Sequence, residues 1–198
     1  MQGERVQRRQ DPRHEPLTDL ARIDGVVLTD LTVFADDRGS FSEAFRHARF
    51  PGVPSFVQGN LSRSKAGVVR GMHFHLRQHD LWVPVQGRLQ VGLFDLRNGS
   101  PTQGVGQAID LDAGDPRSVL IPPGVAHGFQ ALSDAVLLYL VTEPYDGTDE
   151  HGFRFDDPGL GFTWPLPAAV VSDRDREAPA LADVRIEPPP KGHGGAAR

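Results

Sequence analysis

The sequence predicts an all-β fold, a sandwich or barrel of short strands, on three observations. Short runs rich in β-branched and aromatic residues recur along the chain, and turn signals separate them. The 198 residues include 22 glycines and 17 prolines, a composition typical of a turn-rich β protein. No long stretch has the apolar spacing of an amphipathic helix, which excludes a coiled coil or a helical repeat.

A single domain is expected between two polar ends of the chain. Residues 1–17 carry charges of both signs without an apolar core, which predicts a flexible N-terminal arm. Residues 187–198, EPPPKGHGGAAR, bury too little apolar area to offset the entropy of ordering them, so a disordered C-terminal tail is predicted there. The folded domain is therefore expected over residues 18–186.

Within that domain, strand patterns alternate with turn signals in chain order. The clearest strand patterns are GVVLTDLTVF (25–34), VVRGMHFHL (68–76), RLQVGLFDL (88–96) and AVLLYLVT (135–142). The breaks are DDRG (36–39), VQG (85–87), RNGSP (97–101), DAGDP (112–116) and PPG (122–124). Ser172, followed by Asp175 three positions later, is typical of a helix N-terminus, so one short helix is predicted near the end of the domain.

Composition excludes several classes of function. The net charge is −5 and the pI is near 5.9, which argues against a protein that binds nucleic acid through its phosphates. Without cysteine, the chain has no disulfide, no thiolate zinc site and no thiol nucleophile. The longest apolar run, residues 135–141, has the length of a strand, so no membrane partner is expected.

Residues 68–87 contain three histidines within a strand pattern, which is unusual for a core. On a regular strand His73 and His75 point to one face and Arg70 points to the other, because side chains alternate. A β-bulge at Gly71 would rotate the strand and bring Arg70 and His73 into the same interior. The alternative is a partly exposed edge strand whose histidines meet water.

A second segment of interest has the pattern P-x-G-x-x-H, in which a turn leads to His127. Residues 73–87 have the pattern H-x-H, four residues, an acid, six residues and Gly, with His73, His75, Asp80 and Gly87 at the fixed positions. In this order the two patterns resemble the paired motifs of the cupin superfamily. The resemblance implies a double-stranded β-helix. In metal-binding cupins the matching residues are ligands, which here are His73, His75, Asp80 and His127. Imidazole and carboxylate ligands suit Fe, Mn, Ni or Zn.

A closer resemblance covers about residues 25–182 and combines six segments in order. They are FADDRGSFSEAF (34–45), FVQGNLSRSKAGVVRGMHF (56–74), FDLRNGSPT (94–102), IPPGVAHGFQALSD (121–134), FRFDDPGLGFTWP (153–165) and SDRDREAPAL (172–181). These resemble the dTDP-4-dehydrorhamnose 3,5-epimerase family. The resemblance implies a cupin (jelly-roll) barrel with short flanking helices. It also implies an isomerase without metal or cofactor, which epimerises a dTDP-linked 4-keto-6-deoxyhexose at C3, C5 or both.

The resemblance also implies roles for individual residues. His73 matches the family's base, Asp175 the carboxylate that orients it, and Tyr139 the acid that returns a proton to the opposite face. The matches to the family's substrate-binding residues are Arg38, Glu43, Gln58, Asn60, Arg70 and His127. Arginine provides a forked donor for a diphosphate, and the polar side chains suit the base and the sugar.

Several positions depart from the family's pattern: the family's H-x-Q is His73-Phe74-His75 here, and the loop HLRQHD is shorter than usual. The family usually has a lysine near the C4 oxygen of the sugar where this chain has Asp80, and Pro144 precedes Tyr145 where two aromatic residues are common. Loss of an oxyanion stabiliser typically costs about 100- to 1,000-fold in rate. Three outcomes stay open: Arg70 and His127 stabilise the enolate instead, only one carbon is epimerised, or Asp80 marks a different activity.

Three functions therefore remain. The leading hypothesis is the nucleotide-sugar epimerase, with no metal. The second is a metal-dependent cupin enzyme that uses His73, His75, Asp80 and His127. The third is a non-catalytic binder of a nucleotide sugar. The resemblance further implies a homodimer, often with an exchanged N-terminal strand, and a cytoplasmic location.

Overall fold

The computed structural model describes residues 22–168 and 170–186. The predicted N-terminal arm (1–17) and C-terminal tail (187–198) lie outside the described residues. The strands are β1 Val27–Asp30, β2 Val33–Asp36, β3 Gly39–Ser42, β4 Gln58–Ser64, β5 Val69–Phe74, β6 Asp80–Gln86, β7 Arg88–Asp95, β8 Gly106–Asp112, β9 Arg117–Ile121, β10 Val125–Ala131, β11 Ala135–Val141 and β12 His151–Gly152. The helical elements are α1 Asp173–Arg176 and the 3₁₀ turns His47–Arg49, Pro158–Leu160 and Leu181–Asp183.

The strands form two five-stranded sheets and one hairpin, and every pairing between them is antiparallel. The sheet orders are β1-β9-β6-β11-β4 and β12-β5-β10-β7-β8, and β2 pairs with β3. The all-β prediction is confirmed. Among the described residues no helix is long and apolar enough to cross a membrane.

The main apolar core lies between the two large sheets, and its residues come from both. Leu89, Val91 and Leu111 belong to one sheet, while Val119 and Leu137 belong to the other, and all five are buried. Such a core follows from strands whose alternate side chains face inward. The core residues Trp82, Phe129 and Leu137 also line a cavity, so the apolar core forms part of the cavity wall.

The predicted bulge at Gly71 is confirmed by the strand register. His127 on β10 is opposite His73, whereas Phe129, two residues further on, is opposite Arg70, three residues back along β5. Gly71 has φ +116°, and a Cβ added there would lie 2.6 Å from the Cα of Gly128. Glycine is therefore required at this close approach.

As a result of the bulge, Arg70 and His73 line the same cavity. The alternative of an edge strand is wrong at His73, because β12 pairs with that residue on the side away from β10. His73 is half-buried rather than open to water.

The predicted short helix is also confirmed, as α1. The hydroxyl of Ser172 accepts a hydrogen bond from the backbone N–H of Asp175, which is the N-cap interaction expected from the sequence. The helix lies against β5, and Asp175 is buried there. The cap therefore holds a carboxylate behind the strand that carries His73.

Candidate active site

A cavity of about 640 Å³ opens between the two large sheets. On the first sheet its wall follows the alternation of the strands, since every second residue faces inward, whereas the bulge on β5 interrupts the alternation on the second sheet. From the first sheet come Gln58, Asn60 and Ser62 of β4, Asp80 and Trp82 of β6, and Leu137, Tyr139 and Val141 of β11. From the second sheet come Arg70 and His73 of β5, and His127, Gly128 and Phe129 of β10. The volume is in the range of small-molecule sites.

His73 and Asp175 form a close pair at one wall of this cavity. His73 Nε2 is 2.7 Å from Asp175 Oδ1, and the backbone N–H of Gly71 donates to Asp175 Oδ2 at 3.2 Å. Because an ionised carboxylate can only accept, His73 Nε2 carries the hydrogen, and Nδ1 keeps the lone pair. The imidazole is therefore oriented as a base that acts through Nδ1.

The carboxylate of Asp175 stays ionised in this pair. Burial has the largest effect on the pKa of Asp175 and raises it, but the opposing contacts together outweigh burial. They are the hydrogen bond and charge of His73, the N–H of Gly71 and the contact with Ser172. The net pKa of Asp175 lies below its ordinary value, so the carboxylate can stabilise an imidazolium on His73.

Tyr139 approaches the same cavity from the opposite sheet. It lies on β11, where its neighbours across the strands are Trp82 on β6 and Asn60 on β4. Burial and the negative charge of Asp80 raise the pKa of Tyr139, although Arg70 lowers it, so the phenol remains protonated. The cavity thus has a base on one sheet and a proton donor on the other.

A second group, which we call the acceptor cluster, consists of His75, Asp80 and His127. One ligand atom from each lies within 4.8 Å of the others. His75 Nε2 is 4.0 Å from Asp80 Oδ2, and the rings of His75 and His127 have centroids 5.5 Å apart. Burial lowers the pKa of His127 to about 4, so its imidazole is neutral. Of the four residues in the sequence-based metal hypothesis, these three lie together, whereas His73 is engaged by Asp175.

Four of the six predicted substrate-binding residues line the cavity, namely Gln58, Asn60, Arg70 and His127. Gln58 Nε2 donates to Asn60 Oδ1 at 2.9 Å, and Gln58 Oε1 accepts from the backbone N–H of Tyr145 at 3.2 Å. Arg70 is exposed, and its Nε donates to Ser64 Oγ at 3.1 Å. The guanidinium is therefore held by a neutral partner and remains available to an anion.

The other two predicted binding residues lie outside this cavity. Arg38 is in the turn between β2 and β3, where its side chain is 90% exposed and pairs with Asp36 at 2.6 Å. Glu43 follows β3 and pairs with Arg46 and with Arg49. Within one chain, Arg38 and Glu43 are not part of the site that holds His73, and their role in binding stays a prediction.

The sequence reasoning missed an acidic segment, residues 143–150, at the mouth of the cavity. Asp149 is buried, and its carboxylate accepts hydrogen bonds from the backbone N–H groups of Leu76 and Arg77. Its backbone oxygen is 2.8 Å from His75 Nδ1. This segment therefore positions the loop after β5. Its density of acidic residues was the available signal, but the contacts join positions more than 70 residues apart.

Comparisons with known proteins show the family of this chain. Residues 21–183 match the family model described as dTDP-4-dehydrorhamnose 3,5-epimerase. A dTDP-4-dehydrorhamnose 3,5-epimerase of Pseudomonas aeruginosa is 40% identical over 84% of this chain and 96% of its own length. A dTDP-4-dehydrorhamnose 3-epimerase of Streptomyces niveus is 40% identical over 76% of this chain and 77% of its own. The structure of a 3,5-epimerase of Legionella pneumophila, in complex with dTDP-4-keto-L-rhamnose, is similar with a TM-score of 0.79, 34% identity and coverage of 83% and 92%.

Proposed function

Because the chain belongs to the dTDP-4-dehydrorhamnose 3,5-epimerase family, we propose that it inverts a dTDP-linked 4-keto-6-deoxyhexose at C3, C5 or both. One observation carries the proposal: a His–Asp pair and a tyrosine face one cavity from opposite sheets. Inversion at a carbon needs removal of a proton from one face and its return to the other. A base and an acid on opposite walls provide for both.

In the first step His73 removes a proton from the carbon beside the C4 ketone. The proton moves to His73 Nδ1, and the electron pair of the C–H bond passes into the enolate. Asp175, at 2.7 Å from Nε2, stabilises the imidazolium that forms. The pair is held by β5 and by the capped helix α1, so little reorganisation is needed.

In the second step the phenol of Tyr139 gives its proton to the opposite face of the enolate. The raised pKa of Tyr139 keeps the phenol protonated until the enolate forms. The tyrosinate then recovers a proton and His73 releases one, which restores the starting state. The relatives compared above include a 3,5-epimerase and a 3-epimerase, so the number of carbons inverted here is a matter for experiment.

The remaining cavity residues suit the nucleotide. The exposed guanidinium of Arg70 is a donor for the diphosphate, and the amides of Gln58 and Asn60 are donors and acceptors for the base. Tyr145 lines the mouth of the cavity with 73% of its surface exposed, which leaves a ring free to stack on thymine. A dTDP-sugar is therefore the proposed substrate, and a cytoplasmic location is expected with it.

The proposed assembly is a homodimer. The β2–β3 hairpin is not part of either large sheet, and Phe34 and Phe41 on it are 60% and 68% exposed. Exposed aromatic residues on a separate hairpin are typical of a surface that packs against another chain. Such packing is the expected way for Arg38 and Glu43 to reach a substrate bound in the partner.

The test is proton exchange in heavy water with the dTDP-4-keto-6-deoxyhexose as substrate. Deuterium should enter C3, C5 or both, as followed by NMR, and His73→Asn should abolish entry. His47→Asn changes an exposed histidine outside the cavity and serves as the matched control, with exchange as in the wild type. Binding of dTDP without exchange at either carbon would instead support the non-catalytic binder.

A further inference from the structure

The four buried aspartates of the described chain differ in what compensates their charge. Their relative exposures are 3% for Asp80, 0% for Asp95, 7% for Asp149 and 5% for Asp175. Three have strong partners, which are Arg97 for Asp95, two backbone N–H groups and Arg77 for Asp149, and His73 with a backbone N–H for Asp175. Buried charges are normally paired or bind a metal ion, and Asp80 is the member of this set without such a pair.

The contacts of Asp80 are all with neutral donors or with a distant imidazole. Its Oδ2 accepts from the side-chain amide of Gln78 at 2.9 Å, and its Oδ1 accepts from the indole N–H of Trp82 at 3.3 Å. Within residues 22–168 and 170–186, the one ion-pair partner in range is His75, at 4.0 Å. Gln78 and Trp82 therefore orient the carboxylate without neutralising it.

Both histidines of the acceptor cluster present a lone pair to the cavity. His75 Nδ1 lies 2.8 Å from the backbone oxygen of Asp149, and His127 Nδ1 lies 3.0 Å from that of Val125. A carbonyl oxygen can only accept, so each Nδ1 carries a hydrogen, and in the neutral form of each ring Nε2 is then an acceptor. No hydrogen bond from the described residues reaches either Nε2. Donation of the far ring N–H to a carbonyl is the usual arrangement of a metal-binding histidine.

Three acceptors thus face one another in a buried site, which is unfavourable unless a positive charge lies between them. We propose that His75 Nε2, His127 Nε2 and the carboxylate of Asp80 bind one divalent transition-metal ion. Two imidazoles and one carboxylate suit Zn, Fe, Ni or Co, and three protein ligands leave positions open. Ligand atoms about 2.1 Å from a common ion in tetrahedral geometry lie about 3.4 Å apart, so the three groups, now within 4.8 Å of one another, must rotate closer together when the ion binds.

The proposed ligands are close to the proposed base and acid in the strand register. His127 is opposite His73 across β10 and β5, and Asp80 is two residues from Trp82, which is opposite Tyr139. The acceptor cluster therefore lines the same cavity as the proposed base and the proposed acid. This step rests on the proposed function: the ion would accept a lone pair from the C4 ketone oxygen and stabilise the enolate without any change of oxidation state.

The primary test measures metal binding in the absence of substrate. The full chain, purified without an affinity tag for metal and treated with chelator, is titrated with Co²⁺ and followed by calorimetry and visible absorption. One Co²⁺ per chain is expected, with the absorption of a low-coordinate nitrogen and oxygen site. A failure to bind one equivalent of Co²⁺ and of Zn²⁺ overturns the proposal.

Substitutions then assign the ligands. Asp80→Asn and His75→Ala should each weaken Co²⁺ binding by at least about 100-fold, since loss of outer-shell partners already costs 10- to 100-fold. His73→Gln should bind Co²⁺ as the wild type does, because His73 is held by Asp175. His47→Ala controls for surface imidazoles. Wild-type affinity in both Asp80→Asn and His75→Ala, with a native melting transition, contradicts the assignment.

A final measurement separates this inference from the proposed function. The dTDP-4-keto sugar should shift the Co²⁺ absorption, while dTDP without the sugar should not, if the ketone oxygen reaches the ion. Stoichiometric Co²⁺ binding without deuterium exchange would leave the metal site standing and refute the epimerase. Exchange in chelated protein that binds no Co²⁺ would leave the epimerase standing and refute the metal site.

Discussion

Two histidine–carboxylate groups lie at one cavity: a closed pair, in which the imidazole and the carboxylate are in contact, and an open group, in which they are not. His73 and Asp175 are joined at 2.7 Å, whereas His75 and Asp80 are 4.0 Å apart and have a second imidazole, His127, beside them. His73 and His75, which belong to the two different groups, are separated by a single residue in the sequence. The difference lies in the contacts: the carboxylate of Asp175 occupies Nε2 of His73, whereas Asp80 is too far away to form a hydrogen bond with His75.

The largest expected effect comes from breaking the closed pair at its carboxylate. Asp175→Asn should slow deuterium exchange by roughly 10²- to 10⁴-fold, because the amide neither stabilises the imidazolium nor holds the tautomer of His73. The measurement is the rate of exchange by NMR at saturating substrate. Near-normal exchange with Asp175→Asn would show that the side chain of Asp175 has only a structural role, as the acceptor for the backbone N–H of Gly71.

The next largest effect is expected from removing the proposed acid, and it distinguishes the role of the acid from that of the base. Tyr139→Phe keeps the ring packed on the core but removes the hydroxyl, so inversion should slow by about 100-fold. Exchange of the proton that His73 removes should fall less, because the imidazole can return deuterium to the same face. NMR of product and of label in the substrate distinguishes the two rates. An equal loss of both would place Tyr139 outside the second proton transfer.

A third effect concerns stability and uses a buried pair far from the chemistry. Burial has the largest single influence on the pKa of Asp95 and raises it, but hydrogen bonds from Arg97, Ser100 and Thr102 lower it to about 2 in the folded protein. The pKa of an aspartate in the unfolded chain is about 3.9, so this pair contributes roughly 2–3 kcal/mol of stability that is present above pH ~4 and lost as the pH falls toward 2.

Asp95→Asn should therefore lower the free energy of unfolding near neutral pH by roughly 2–3 kcal/mol and flatten its decline in acid. Guanidinium unfolding at several pH values measures both quantities. A variant that keeps the wild-type slope in acid would show that another group causes it.

The smallest effect is expected at the open group. In chelated protein, Asp80→Asn should change the free energy of unfolding by less than about 1 kcal/mol, because it removes a buried charge that lacks a cation and keeps the shape of the side chain. The same unfolding measurement applies. A loss as large as that of Asp95→Asn would mean that Asp80 is already compensated by the protein.

Much of the fold could be predicted from local patterns. The turn signals and the runs of β-branched residues predicted the strands, Ser172 predicted the start of α1, and Gly71 predicted the bulge on β5. These features depend on neighbours in the sequence, so they can be recognised there. The family prediction, which used six separated segments, is confirmed by the match of residues 21–183.

The candidate site was less accessible to sequence reasoning. Motif spacing placed four residues around a metal, but the structure assigns His73 to Asp175, 102 positions away, and leaves three. The spacing of a motif does not show which of two carboxylates will pair with one imidazole. The location of Arg38 and Glu43 outside the cavity likewise follows from the path of the β2–β3 hairpin, which local pattern does not specify.

The amino-acid sequence by itself determined the β architecture, the family and the types of side chain available for proton transfer, because these follow from local propensity and from motif identity. Only the tertiary structure decided which imidazole is paired and which is open. Hydrogen bonds to the backbone oxygens of Asp149 and Val125 set the two free nitrogens, and those contacts exist only once the sheets have closed around the cavity.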